Sequence, residues 1–269
     1  MRASAIPKKA RRATIALCGL LLVATADPCI AAGCAFEVQG EGHVAAVIDA
    51  RTFRLQDGRD VSLAGIEPAA PIADNTAANT DRTAALSAIV AGRDVTLRGE
   101  DDTPDRYGRQ PAFVFPDGSD ISVQVTLLTQ GDALVAATVT DKDCAATLFA
   151  AEAEARRARR GIWTDSSAIK NTESPGDILA GIGRFTVVEG KVLSVRQAGA
   201  TTYLNFGRNW TRDFAVTIPK RALAAYAAAG IVLKSLENRR IRVRGWIEAR
   251  GGPRIEALRV GQIEVLGQN

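Results

Sequence analysis

From residue 44 onward the spacing of apolar positions changes period repeatedly, and each change marks an element. Residues 44–48 are β-branched enough for a buried strand, and Thr52–Leu55 alternates like a half-exposed one. Asp57-Gly58 is a tight hairpin turn, and residues 61–66 complete a three-strand meander. After a polar loop over 68–79 the period lengthens. Ala84, Ala85, Leu86, Ile89 and Val90 form a helical stripe over residues 81–90, stopped at Gly92. Asp94–Arg98 and residues 112–115 return to strand spacing, and residues 121–130 predict a short helix begun at Ser119/Asp120 and ended by Gly131. Residues 141–160 predict the longest helix. Ala145, Leu148, Phe149, Ala151 and Ala155 share one side, four arginines crowd its last turns where the dipole favours cations, and Gly161 ends it.

Residues 164–183, with Pro175 and three glycines, read as a linker, giving a first domain over 33–165, a linker over 166–183 and a second domain over 184–269. In the second, residues 185–195 and 201–206 predict strands paired around Gly199, and 214–218 a third strand. A helix over 220–229 follows, with Pro219 at its start and Gly230 at its end, then strands over 240–249 and 254–266. Strand-strand-strand-helix-strand-strand occurs twice. The expected fold is therefore mainly β with α additions: a five-stranded OB-type barrel followed by a second, OB-like β-barrel.

Residues 1–32 belong to neither domain. A basic start (Arg2, Lys8, Lys9, Arg11, Arg12), an apolar run over 13–26 and small residues at 31–33 have the layout of a signal peptide cleaved near Ala31 or Ala32. An uncleaved anchor is the alternative, although the run is short for a membrane span. The expectation is an exported protein, periplasmic or extracellular, with no transmembrane domain in the mature chain.

Removing the leader changes the charge picture. The chain's net +4 lies wholly within residues 1–32, and the remainder carries 29 basic and 29 acidic residues. A basic overall balance is thus no argument for a nucleic-acid partner. The distribution is informative: residues 33–170 hold 14 basic against 21 acidic residues, and 171–269 hold 15 against 8. With Cys18 and Cys29 in the leader, Cys34 and Cys144 remain. In an exported chain they read as a disulfide, the alternative being a lipid-anchored Cys34 as first mature residue.

Three stretches carry a resemblance: residues 44–70 (VAAVIDARTFRLQDGRDVSLAGIEPAA), Asp105-Arg106-Tyr107-Gly108-Arg109, and AAEAEARRARRGIW over 150–163. Together they resemble the staphylococcal-nuclease, or thermonuclease-like, family over about residues 42–165. The resemblance implies an OB-type barrel that hydrolyses phosphodiesters with one carboxylate-held Ca²⁺, a Glu that activates water, and two arginines that clamp the phosphate.

Residue by residue, most of those roles lack their side chain. The family's first motif reads D-G-D-T-F where this chain has Asp49-Ala50-Arg51-Thr52-Phe53, so Arg51 replaces a metal-ligating Asp. The second reads R-L-x-G-I-D-x-P-E against residues 62–70 here. Ser62 replaces the first clamping Arg, Glu67 replaces an Asp ligand and Ala70 replaces the catalytic Glu. Only the D-[KR]-Y-G-R motif is intact, with Arg109 at the second clamping position. Arg109 and Glu67 are the family-matching catalytic candidates. No cofactor is expected, Ca²⁺ entering only if the family site is retained, and no metal-ligand set is assigned.

The substitutions suggest another use of the pocket: an Arg51–Glu67 pair supplying fixed positive charge which, with Arg109, binds a phosphate-like anion. A plain surface salt bridge is the simpler account. His43, the single histidine, has no ligand or dyad spacing, and Trp163 reads as a packing anchor. In the second domain, Arg240, Arg242 and Arg244 alternate on one strand face near Tyr203, Phe206, Trp210, Phe214 and Trp246. That pattern suits single-stranded nucleic acid, and equally a face docked on the acidic first domain. The functional expectation is a binding or scaffolding module whose partner is an envelope protein, an anionic ligand or nucleic acid. The alternative is a weak or metal-altered nuclease using Glu67 and Arg109.

Overall fold

The computed structural model describes Met1, Cys34, residues 36–69 and residues 76–267; the expected leader with Cys18 and Cys29, and also Ala70, lie outside them. The described residues from Cys34 on belong to one compact unit.

The meander consists of β1 (Val38–Val47), β2 (Thr52–Leu55) and β3 (Asp60–Leu63). β1 starts at Val38 rather than at residue 44. Its N-terminal half contains Gly40 and Gly42, which argue locally against a strand, but pairing and close packing override that. A Cβ at Gly42 would lie 2.9 Å from Leu55 Cδ1, so β1 crosses β2 where only a glycine fits without a shift. Next come β4 (Ile66–Pro68), α1 (Thr76–Val90), β5 (Asp94–Arg98) and β6 (Gln110–Pro116). Then follow α2 (Val123–Gln130), β7 (Ala133–Val135) and α3 (Lys142–Arg157). The barrel closes in the order β1-β2-β3-β6-β5 with β3 and β6 parallel, while β4 leaves it to pair with β7. Inward-facing Phe53, Leu55, Val61, Leu63, Leu97 and Val114 pack against Leu127, Leu128 and Leu148 from the helices.

α1 starts at Thr76, inside the expected polar loop, and boundaries of α2 and α3 also differ from expectation. α2 begins at Val123 because Ser122 is the residue whose hydroxyl accepts from a first-turn amide, that of Val125; the hydroxyl of Ser119 is held instead by the backbone of Ile121. Its end at Gly131, in the left-handed region, is as expected. α3 ends at Arg157, before the expected Arg160. The chain leaves it to pass directly against the C-cap of α2, where the amide of Ile162 donates to the carbonyl of Gly131 at 3.0 Å. A Cβ on Gly131 would sit 2.3 Å from the Arg160 carbonyl oxygen, and one on Gly161 2.4 Å from that of Gly131. Two glycines are needed at this crossing.

Cys34 is bonded to Cys144 in the first turn of α3. The disulfide is formed, and with its sulfur so bonded Cys34 has no thiol to carry a lipid.

Residues 164–183 hold more than a linker. β8 (Ile169–Asn171) and α4 (Pro175–Leu179) lie there, and Ile178 is fully buried in the second core. The second region continues with β9 (Phe185–Lys191), β10 (Ser194–Ala198), β11 (Thr201–Asn205) and β12 (Ala215–Pro219). After α5 (Lys220–Ala228) come β13 (Arg240–Arg250), β14 (Gly252–Glu256) and β15 (Ile263–Val265). The single strand expected over 185–195 is broken at Val192 and Leu193, whose amides donate to Arg239 and Asn205 on different neighbours. β9 therefore pairs with β13, and β10 with β11.

The eight-stranded sheet runs β10-β11-β12-β14-β13-β9-β8, with β15 on β13. Apart from β8 and β15 this is the order of the first barrel: β12 and β14 are its parallel pair, and the path starts and finishes on the two halves of one bent strand. Tyr226 of α5 plugs the core, its hydroxyl donating to the Arg259 carbonyl at 2.9 Å. A third cluster joins Ala69, Leu134, Ala155 and Trp163 to Phe185 and Val187, so Trp163 is the packing anchor expected and serves both halves. Among the described residues no helix is long and apolar enough to cross a membrane.

Candidate functional site

The first strand-to-strand turn sets the position of Arg51. Asp49 Oδ1 accepts from the Arg51 amide at 2.8 Å, folding the turn back on itself, and the Arg51 carbonyl accepts from the Leu63 amide at the start of the β3–β4 turn. The Arg51 guanidinium donates through Nη1 to Glu67 Oε1 and, more distantly, to the Ile66 carbonyl at 3.5 Å. Glu67 is held in place by β4, where it pairs with Leu134 of β7. The partnership expected from the two substitutions is therefore made. It is largely buried, with Arg51 and Glu67 side chains 25% and 15% exposed, which is not the geometry of a surface salt bridge.

The intact motif forms a self-contained loop. Asp105 Oδ1 accepts from the amides of Tyr107 and Arg109, and Oδ2 accepts from Arg109 Nε at 3.0 Å and Nη2 at 2.7 Å. Gly108 supplies the positive φ that the turn requires. Tyr107 is exposed, with the guanidinium carbons of Arg106 and Arg109 at 4.7 and 5.0 Å from its ring centre. Aspartate and glycine thus order the loop, and their product is a fixed Arg109.

Arg51, Glu67 and Arg109 line one cavity of about 430 Å³, together with Asp49 and Arg82, and with Arg184, Phe185 and Trp246 of the second region. Four arginines and two carboxylates line it, and Arg109 brings its own counter-ion, Asp105, from beside the cavity. Burial pushes the Glu67 carboxyl above the usual carboxylate range; Arg51 and, more weakly, Arg109 pull it back without cancelling that effect. Burial also raises Asp105, but the hydrogen bonds from Arg109 and the loop amides outweigh it and hold this carboxyl below its ordinary value. Arg109 is correspondingly raised, chiefly by its hydrogen bonds to Asp105. Ser62 is buried in β3 opposite Thr52, so the place matched to a clamping arginine holds a short hydroxyl.

The basic strand face is placed differently from a nucleic-acid surface. Arg244 is 1% exposed: Nη1 donates to Glu152 Oε2 at 2.8 Å and to the Val135 carbonyl, and Nη2 to Glu152 Oε1 at 2.9 Å. Arg242 is buried between Glu189 and Glu264, at 2.8 and 2.9 Å. Arg240 alone is exposed, and it bonds the other oxygen of Glu189. The expectation that Arg242 and Arg244 present a binding face is corrected: the same alternation turns them onto carboxylates of α3, β9 and β15. Burial raises Glu189, yet the hydrogen bonds of Arg240 and Arg242 overcome it and leave this carboxyl below its usual value.

Two residues given no specific role by sequence reasoning matter most. Glu152 lies within the apolar stripe of α3, beside Leu148 and Ala155, where a carboxylate signals a buried partner. Trp246 follows Arg244 on the same face of β13 but stays 52% exposed at the cavity. His43 makes only an exposed contact with Asp94. Among the described residues no group of three or more His, Cys, Asp and Glu side chains gathers as a metal cluster would.

Compared with known families, residues 77–165 match the family model for staphylococcal nuclease homologues. The matched segment contains the Asp105–Arg109 loop and α3, and begins after Arg51, Ser62 and Glu67. No curated protein matches the chain.

Proposed function

We propose that the staphylococcal-nuclease-like domain of this chain binds a phosphate-like anion in the Arg51–Glu67–Arg109 cavity without hydrolysing phosphodiesters. The observation that carries this is the Arg51–Glu67 ion pair inside a cavity that Arg109 also lines. Fixed guanidinium charge stands where a divalent cation would otherwise supply it. Arg51 Nε and Nη2, and Arg109 Nη1, make no hydrogen bond with the described residues, so both planar forks keep donors for an oxyanion.

The residues do not fit calcium. Ca²⁺ takes about 6–8 oxygen ligands. The carboxylates at this cavity are Asp49 and Glu67; the first accepts from the Arg51 amide and the second from its guanidinium, whose charge opposes a cation. Proton transfer is equally unsupported at residue 70, where an alanine stands, and loss of such a base typically costs a factor of about 10²–10⁴. The Cys34–Cys144 disulfide supports an oxidising, exported setting. All three alternating arginines of β13 are bonded to carboxylates, Arg242 and Arg244 in buried positions and Arg240 at the surface, which counts against single-strand binding by this face.

The test is to incubate the full chain with single-stranded DNA and RNA, in calcium and in chelator, and to titrate it calorimetrically with inorganic phosphate. The expected result is no cleavage, with phosphate binding weakened by Arg51→Ala and by Arg109→Ala. Chelator-sensitive cleavage abolished by Arg109→Ala would establish a metal-altered nuclease instead. Absence of phosphate binding at millimolar ligand would remove the anion pocket.

A further inference from the structure

Between β11 and β12 the chain leaves the second sheet in one tight loop over residues 206–214. Its neck is closed. The Phe206 amide donates to the Phe214 carbonyl at 3.2 Å, their rings lie 5.2 Å apart, and a Cβ on Gly207 would sit 2.0 Å from Asp213 Oδ2. The tip is held from within. The Asn209 carbonyl accepts from the amides of Arg212 and Asp213, and the Asn209 side chain from the Thr211 amide and hydroxyl. Asp213 Oδ2 accepts in turn from the Asn209 amide at 2.8 Å. The β13–β14 turn supports one flank, where a Cβ on Gly252 would lie 2.6 Å from the Asp213 carbonyl oxygen. These contacts order the backbone and leave residues 208–212 exposed. Trp210 stands at the tip at 76% exposure, the most exposed aromatic ring among the described residues. Three exposed arginines surround it: Arg208 and Arg212 in the loop, and Arg250 beside Gly251, the residue against which the Trp210 backbone packs. Arg208 and Arg250 make no hydrogen bond or ion pair among the described residues, and Arg212 meets Asp213 at 3.5 Å.

We propose that this loop docks the chain on an anionic lipid surface, with Trp210 entering the boundary between headgroups and acyl chains while Arg208, Arg212 and Arg250 meet the lipid phosphates. An indole has an apolar body and a polar N–H, and settles at the headgroup level of a bilayer. Guanidinium forks match phosphate oxygens, and cations beside a membrane are drawn to anionic lipid. Shape and surroundings decide against a protein partner. A stable protein interface takes about 800 Å² from each side around an apolar centre. Here Trp210 is the one exposed large apolar side chain between Leu193 and Val232, and its neighbours in the loop are Asn209 and Thr211. A single ring on a projecting tip, flanked by cations, has little to offer a rigid surface and fits a fluid one that closes around it. The inference is independent of the anion cavity, which other residues line.

Co-sedimentation of the full chain with vesicles of phosphatidylcholine, alone or mixed with phosphatidylglycerol, tests this. Binding is expected on the anionic vesicles and should weaken as salt is raised, because the attraction is screened. Arg208→Ala, Arg212→Ala and Arg250→Ala should each weaken it about fivefold. Trp210→Ala should weaken it about tenfold, the equivalent of roughly 60 Å² of ring no longer leaving water, and Trp210→Phe should restore part of the loss. Tryptophan emission of the wild type should move to shorter wavelength on anionic vesicles, and that of Trp210→Phe should not move although the variant binds. Melting temperatures should stay at the wild-type value, since all four side chains are exposed. If Trp210→Ala fails to fold, the emission of Trp210→Phe decides. Absence of binding to anionic vesicles, equal binding to both compositions, or undiminished binding by Trp210→Ala would overturn the proposal. So would a wild type that ignores vesicles and captures an oligonucleotide through Trp210, which would assign the loop to nucleic acid. Phosphate binding at Arg51 and Arg109 should be unchanged in Trp210→Ala, so the lipid surface and the anion cavity stand or fall separately.

Discussion

Arg244 and Glu152 are both 1% exposed, lie on different halves of the chain, and make two parallel hydrogen bonds at 2.8 and 2.9 Å. Removing one partner of such a pair strands the other's charge. Arg244→Met would leave Glu152 with the Val135 amide at 2.7 Å and the more distant Arg156 at 3.5 Å, and would orphan the Val135 carbonyl. It would also lose the contact of the guanidinium with the Phe149 ring at 4.7 Å. Breaking a buried pair costs about 3–5 kcal/mol, and partial rescue by Arg156 places the expected loss near the lower end. Glu152→Gln should cost a similar amount, because Arg244 then keeps the neutral Val135 carbonyl and, as its carboxylate partner, Glu264 at 3.9 Å. The double variant carries neither charge, and the amide side chain introduced by Glu152→Gln can still accept from the Val135 backbone N–H. Its expected loss is about 1–2 kcal/mol, less than either single change. Urea unfolding of the disulfide-bonded chain, followed by far-UV circular dichroism and tryptophan fluorescence, measures all four corners of the cycle. A single-variant loss below about 1 kcal/mol, or additive losses in the double variant, would refute the claim that charge burial dominates this contact.

Two further outcomes follow from the disulfide and from Glu67. The Cys34–Cys144 bridge spans a sequence separation of 110, for which the chain-entropy account gives about 4–5 kcal/mol. The Cys34→Ala/Cys144→Ala variant should lose close to that amount in urea unfolding, and a change below about 1 kcal/mol would show that the native chain gains little from the link. The Glu67 carboxyl lies above its ordinary range, so the folded chain holds this proton more firmly than the unfolded chain does. That contribution to stability is present at low pH and is lost as pH rises through the folded value. In the pocket, protonation removes a negative charge and loosens Arg51 from its partner. Sulfate, which stays fully ionised across this range, should therefore bind more tightly as pH falls from about 7 into the carboxylate range. Glu67→Gln should bind sulfate tightly at every pH in that interval; an unchanged pH dependence in the variant would assign the effect to another group.

Much of the barrel was legible because its signals are local. Asp57-Gly58, Gly131 and the β-branched runs around Phe53 and Val61 each specify a turn, a cap or a strand from neighbouring residues. The Arg51–Glu67 contact was legible for a different reason. Arg51 and Glu67 stand at places that share one metal site in the family their motifs resemble, so a barrel of that type is expected to bring them together, and the ion pair forms. The start of β1 and the short β8 were not legible, since Gly40 and Gly42 disfavour a strand locally and β8 depends on pairing with β9. The destination of Arg242 and Arg244 shows the limit most plainly. Alternation correctly put them on one face, but nothing within β13 says whether that face meets solvent or the carboxylates of Glu152, Glu189 and Glu264. That answer comes from a helix and two strands distant in sequence.

β13 also has a consequence for how this chain can change length. Side chains along a strand alternate with a period of two, so a one-residue insertion between Arg244 and Trp246 would leave the arginines on their carboxylates and rotate the indole to the side now filled by Ile247 in the second core. A two-residue insertion would restore the face but carry the ring about 6.6 Å further along the strand. The anchor and the aromatic wall of the cavity are thus tied by parity, and Gly245 between them is fixed as well, because a Cβ there would lie 2.5 Å from Ile255 Cγ2.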